Sequence, residues 1–571
     1  MLSEPNRAAG RRLFGLLVLG SALALSCSSK GSGTTGAGTG GTNAGTGGSK
    51  TGGTGGTATA GAGGSAGAGG SKTGGTGGTG TAGTTGTGTG GAAAVDNSVL
   101  ERNHHPSRDG NYLQPLLTKT AAATLTLDTG FAANFTGDTW ASPLYLENGP
   151  GGHGAFFTVT NDDNVFALDE TTGAQVWMKN IGTAASKTGQ SCGDISPLGI
   201  ISTPIIDEQA RTLYVAGAIG NASTITAHQI HALSVDDGSE RAGWPIDVST
   251  ITSGGATFTA SPQNQRSALS LVGGVLYVAY GGHNGDCGNY RGWVMAINTA
   301  TPTQRGAWVT GGTRGEAIWA AGGMASDGNG IFAVTGNNLT GTATHADSEE
   351  VVRLTGLATL DRTSNADIFY PSTWRTMDGN DADLGASSPV YLSAPSPMVA
   401  VVSKDGHLFL LDAANFGGST PLADLVVASG GSMIIHTAPA AYATAAGMHL
   451  VFTTDSNAVC PAGGPSGKVV MSVLVPAGSP PVPQTIWCVA TSNASLGFPA
   501  SPMVTTTDGQ SNAIVWIING TKLMGLDGDT GATVYSGTDT CSGVHKWTAP
   551  IAVKGRIVVA GDTHLCAWSP H

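Results

Sequence analysis

The chain has 571 residues, with 38 acidic against 26 basic side chains and a formal net charge of −12. That balance disfavours nucleic acid and anionic membrane surfaces as partners, because both are gripped by basic patches. Only 11% of the residues are charged, so the surface must lean on Ser, Thr, Asn and Gly, which suits an exported protein that meets glycans or other proteins.

In chain order, Arg7, Arg11 and Arg12 precede an apolar run from Leu13 to Leu25. The run is too short to span a bilayer comfortably, and the charged-then-apolar order is that of an export signal. It ends in Ala24-Leu25-Ser26-Cys27, which resembles a bacterial lipobox. The resemblance implies residues 1–27 as a lipoprotein signal peptide and Cys27 as the lipidated N-terminus. Ser28 after the cysteine, in place of Asp, implies the outer membrane or cell surface. Residues 28–94 are almost wholly Gly, Thr, Ala and Ser. They cannot bury enough apolar area to offset their ordering entropy and are expected to be a disordered linker. A Gly-rich coil of this length has an end-to-end distance of about 40–50 Å. The only membrane contact expected is the N-terminal anchor.

Residues 95–571 form the expected folded body. Val165-Phe-Ala-Leu-Asp169 runs into the turn residues Thr172 and Gly173, and a second strand carries Trp177. Apolar alternation around a Gly-bearing turn predicts a β-hairpin. Similar apolar strands start at Ile230, Trp293, Val351, Leu408, Val469, Lys522 and Leu565, 43 to 65 residues apart. A period of this size filled with short strands points to propeller blades. Small-residue–Pro steps precede six of the hairpins, at Pro143, Pro204, Pro389, Pro439, Pro502 and Pro550. Proline cannot donate to a ladder and belongs at an edge or at a strand's first residue. Ser267-Ala268-Leu269 and Ala320-Ala321-Gly322 fill the slot in the other two. The expectation is an all-β, monomeric, eight-bladed β-propeller of four-stranded antiparallel blades, with Leu116 to Leu125 as the best helix candidate.

These residues resemble the quinoprotein (pyrroloquinoline-quinone-repeat) eight-bladed propellers. Asp169-x-x-Thr172-Gly173-x-x-x-Trp177 is similar to that family's tryptophan-docking motif, in which each Trp packs between neighbouring blades. Gly323 to Asn337 and Lys404-Asp-Gly-His-Leu-Phe-Leu-Leu-Asp412 resemble segments of the quinoprotein alcohol dehydrogenases. By that resemblance, a Ca²⁺ ion would take Asp286 and Asn337 as ligands, Asp347 would be the catalytic base, and pyrroloquinoline quinone (PQQ) would be the cofactor. Trp319, Trp547 and Arg266, at or beside inner strands, are the candidates to hold it. Arg314, Asp383 and His436 lie at similar positions and could line the same channel. The sequence also departs from the dehydrogenases: no two cysteines are adjacent, and no Cys-x-x-Cys-His haem site is present. Two readings therefore stand. One is a cell-envelope lipoprotein that acts as a binding or scaffold module for protein or carbohydrate, without a cofactor. The other is a Ca²⁺- and PQQ-dependent alcohol or sugar dehydrogenase of the periplasm or surface.

Six cysteines follow Cys27. An even number in an exported chain favours disulfides. The repeat geometry favours Cys460–Cys488 and Cys541–Cys566, each within about one blade, which leaves Cys192–Cys287.

Overall fold

A computed structural model describes residues 97–186, 190, 192–429, 435–493 and 499–570. The export signal, Cys27 and the Gly/Thr tract lie outside the described residues.

The hairpin at Asp169 is built by its own turn. Asp169 Oδ1 accepts hydrogen bonds from Thr171 N, Thr172 N and Thr172 Oγ1 at 3.1, 2.8 and 2.7 Å. Gly173 sits at φ +74°, where a Cβ would meet the Ala133 backbone at 2.4 Å. Only glycine fits that turn without cost. The hairpin strands, Asn164–Asp169 and Gln175–Asn180, are the third and fourth of a sheet. Its innermost strand is Leu144–Leu146 and its second Ala155–Val159. The pattern repeats to give eight blades of antiparallel strands. Proline stands immediately before the innermost strand in six of them, as in Ile205–Asp207, Val390–Leu392 and Ile551–Val553. The second strand of blade 1, Ala155–Val159, is buried along its whole length, because a sheet faces a neighbouring blade on either side.

Tryptophans lock adjacent blades. Trp177 Nε1 donates to Val235 O of blade 2 at 2.9 Å, and Gly238 leaves room for the indole face. Trp487 repeats this between blades 6 and 7, donating to Gly528 O at 2.7 Å with Gly531 against its ring.

Blade 8 closes the ring. Its three C-terminal strands are Ile551–Val553, Arg556–Gly561 and His564–Ser569. The outer strand comes from the other end of the chain, as Thr126–Leu127 and Ala133–Asn134 pair with His564–Ser569.

The stretch from Val99 to Gln114 runs inside the ring of inner strands. Val99 bridges Tyr145 of blade 1, and Ile206 N of blade 2 donates to Leu100 O. Ser326, Tyr391 and Ala441 of blades 4, 5 and 6 donate to Pro106, Ser107 and Asp109 carbonyls. Asn111–Leu113 adds a parallel strand to blade 7, and Gly555 N of blade 8 donates to Gln114 Oε1.

The helix expected at Leu116 to Leu125 is one turn, Lys119–Ala122, capped by Thr118. A second, Trp374–Asn380, has no apolar period and buries only Met377. The disulfides are Cys192–Cys287, Cys460–Cys488 and Cys541–Cys566, as the repeat geometry favours. No helix among the described residues is long and apolar enough to cross a membrane.

Candidate functional site

The loops that enter the inner strands, and those joining second to third strands, emerge on one face of the ring. They surround a cavity of about 270 Å³. Arg266 and Trp319 come from the approaches to blades 3 and 4, Asp381 and Asp383 from that to blade 5, His436 from that to blade 6, and Lys546 and Trp547 from that to blade 8. Asp286 and Lys404 come from second-to-third-strand loops of blades 3 and 5.

Arg266 is its centre. The guanidinium carbon lies 4.2 Å from the Trp547 ring centroid and 5.2 Å from that of Trp319. Its Nε donates to Trp319 O at 3.0 Å, which leaves the two terminal amino groups for the cavity. Burial lowers its pKa to about 10, so it remains a cation at neutral pH. Trp547 is held at φ +78°, an unusual backbone for an aromatic residue. Arg102 Nη2 fixes it by donating to Trp547 O at 2.6 Å.

The two lysines are already engaged. Lys404 Nζ stands 2.8 Å from Asp381 Oδ1 and 2.9 Å from Asp383 Oδ2. Burial opposes its charge, but the two carboxylates outweigh this and raise its pKa. Lys546 Nζ is 2.7 Å from Asp194 Oδ2 and 4.7 Å from the Trp547 ring. Burial would raise the Asp194 carboxyl, yet Lys546 holds it below its ordinary range. Burial, with Lys404 adding to it, pushes the His436 imidazole down to about 3, so it is neutral.

The residues named from sequence divide into two sets. Arg266, Trp319, Trp547, Asp286, Asp383 and His436 line the one cavity. Asn337 sits behind it, its backbone N donating to Asp383 Oδ1 at 2.9 Å. Asp347 does not line the cavity: it pairs with Arg362 and accepts from Gly311 N at 2.7 Å. Arg314 also stands outside, donating to the Asp286 carbonyl. Asp381, Lys546 and Asp194 were not picked out, since nothing in their local sequence marks them.

The solved structures that resemble this chain share its architecture. The quinohemoprotein alcohol dehydrogenase ADHIIG from Pseudomonas putida HK5 superposes with a TM-score of 0.59 at 12% identity, over 83% of this chain and 80% of that one. The quinohemoprotein alcohol dehydrogenase from Comamonas testosteroni gives 0.56 at 14%, over 83% and 81%. A europium-containing methanol dehydrogenase gives 0.52 at 13%, over 82% and 90%. The fold is that of the quinoprotein dehydrogenases. No family model and no curated protein matches the sequence.

Of the two expected metal ligands, Asp286 accepts from Tyr290 OH at 2.5 Å and belongs to no converging set of carboxylate, His or Cys donors among the described residues, while Asn337 keeps a buried Oδ1 without a hydrogen bond. Asp347, the expected base, is taken by Arg362. Arg266 lies between the two indoles, against the faces on which a flat quinone would stack. The residues present do not fit a Ca²⁺–quinone pair, and no step is derived through one.

Proposed function

We propose that this protein is an exported, lipid-anchored binding module that takes a small acidic carbohydrate in the central cavity of its propeller. The observation that carries the reading is Arg266. It is an ionised guanidinium deep in the molecule, packed by two indole faces, with its terminal amino groups open to the cavity. A carboxylate is the natural acceptor for that fork. The surrounding Asp, Lys, Asn and indole groups supply hydrogen bonds and apolar faces for a sugar ring. A cavity of about 270 Å³ is at the small end of the range for small-molecule sites and offers no room for a folded partner. Export and anchoring rest on the charged-then-apolar leader and Cys27.

Calorimetry of the full chain against uronic-acid oligosaccharides and their neutral counterparts tests the reading. Binding of the acidic series alone, weakened at least tenfold in Arg266→Gln, is expected. Equal affinity for the neutral series, or none for either, overturns it. Turnover in a dye-reduction assay with added PQQ and Ca²⁺ would replace it with the dehydrogenase reading. For the anchor, palmitate labelling in cells should be present in the wild type and absent in Cys27→Ser.

A further inference from the structure

The seam where the two ends of the chain meet carries a cluster of donors outside the cavity. Asp138 lies in the loop between Ala133–Asn134, the outer strand of blade 8, and Leu144–Leu146, the inner strand of blade 1. His545 lies on the approach to the inner strand of blade 8, and Asp562 in the turn between its second and third strands. One ligand atom from each of the three lies within 4.8 Å of the other two. Donors held tetrahedrally at about 2.0–2.2 Å stand about 3.3–3.6 Å apart, so a bound ion would draw the widest pair together by up to about 1.5 Å.

His545 supplies an independent observation. It is 4% exposed, and its Nδ1 makes no hydrogen bond; Nε2 and the buried Asp562 Oδ1 have only each other. Nε2 approaches that oxygen to 2.5 Å as an ion pair. A bound cation would take the place of the proton the two atoms share and move them apart to ligand spacing. The imidazole is held in place by Trp140, stacked on it with ring centroids 3.7 Å apart. Gly543 makes room for the carboxylate: a Cβ there would come within 2.4 Å of Asp562 Oδ2.

We infer that Asp138, His545 and Asp562 form a binding site for a divalent transition-metal ion that clamps the closing seam of the propeller. One imidazole nitrogen with two carboxylates is a donor set for Zn²⁺ or Mn²⁺. Ca²⁺ and Mg²⁺, which take oxygen ligands, suit it less. The ligands come from positions 424 residues apart at their extremes. An ion held by all three would tie the N-terminal strand of blade 8 to its C-terminal core, beside the strand pairing, the Arg556–Asp128 ion pair and the Thr139 N to Asp562 O hydrogen bond already there. The ion would bind the folded ring and not the open chain, so it would stabilise the protein as its concentration rises.

The test uses the full chain, stripped with a chelator and desalted. Calorimetric titration with ZnCl₂ and with MnCl₂ should give one equivalent of at least one ion at micromolar affinity or tighter, with a rise in Tm. CaCl₂ and MgCl₂ should bind at least tenfold more weakly. His545→Gln and Asp562→Asn, each checked for native circular dichroism, should lose at least tenfold in affinity and lose the rise in Tm. Should either variant fail to fold, anomalous scattering from wild-type crystals soaked in ZnCl₂ decides. A peak within about 2.0–2.2 Å of donors from all three residues supports the site. No saturable binding, binding unchanged in both variants, or an anomalous peak elsewhere overturns it.

Discussion

Asp163 sits fully buried in the turn that joins the second and third strands of blade 1, and neither of its oxygens accepts a hydrogen bond of normal geometry. Burial, with the neighbouring charge of Asp162 added, pushes its carboxyl up to about 8. An acid whose folded pKa is raised keeps its proton in the folded state and releases it on unfolding. Its contribution to stability is complete below the unfolded value, near 4, and is lost as pH rises to about 8. Glu101 and Glu316, both raised by burial to about 7, act with the same sign. Urea unfolding between pH 5 and pH 8 should therefore show falling stability as pH rises. Asp163→Asn should flatten part of that slope, and an unchanged slope would remove Asp163 from the account. The residue scale is also where the resemblance and the structure part. The resemblance nominated Asp347 as the catalytic base, yet its left-handed backbone, φ +75°, and its bond to Arg362 commit it elsewhere. Asp286 and Asp383, both candidates from the sequence, do line the cavity.

Between residue and ring stands the hairpin with its docking tryptophan. Trp177 is 8% exposed and ties blade 1 to blade 2 through Val235 O. Trp177→Ala removes that bond and leaves a cavity between two sheets, and large-to-small changes of this kind cost about 3–5 kcal/mol. A lowered denaturation midpoint in urea, with the slope unchanged, is the expected result. The disulfides divide by reach. Cys192–Cys287 joins a loop of blade 3 to the connection that runs from blade 1 into blade 2, across 95 residues, and Cys460–Cys488 closes 28 within one blade. In the chain-entropy account these closures contribute about 4.7 and about 3.6 kcal/mol. Replacing the first pair by Ala should lower the midpoint more than replacing the second. Hairpins were legible in the sequence because their signals are local: alternation, an Asp-capped turn, a Gly at positive φ. The innermost strands were legible only through the proline before them, since three residues such as Ile205–Asp207 carry no period. Trp374–Asn380 escaped notice because a helix that buries one side chain leaves no stripe to read.

At the scale of the whole molecule, eight repeats announce a ring, but nothing repeats in the segment that fills it. The segment from Val99 to Gln114 passes from blade to blade, so its sequence has no period, and only the structure reveals it as the common partner of the inner strands. Arg108 is the clearest case. It is 0% exposed and donates to Met324 O, Leu269 O and Ser270 Oγ at 3.1, 2.8 and 2.7 Å. Its Nη1 lies 3.0 Å from Glu101 Oε2, so one side chain joins the segment to blades 3 and 4 and neutralises a buried acid. Arg108→Met keeps much of the volume but strands the carbonyls and Glu101. Breaking a buried pair from one side costs about 3–5 kcal/mol. Scanning calorimetry should show Tm lowered in the single variant. Glu101→Gln in the same chain should recover part of the loss, because a neutral amide needs no counter-charge. Recovery would mean that the segment is held by satisfying its buried charge. No recovery, with the same fall in Tm, would assign the cost to the lost bonds to blades 3 and 4, and the segment would then act as a mechanical strut across the ring. An Arg108→Met protein as stable as the wild type would refute both, and would leave the segment held by its remaining bonds to the inner strands, such as those from Ser326, Tyr391 and Ala441.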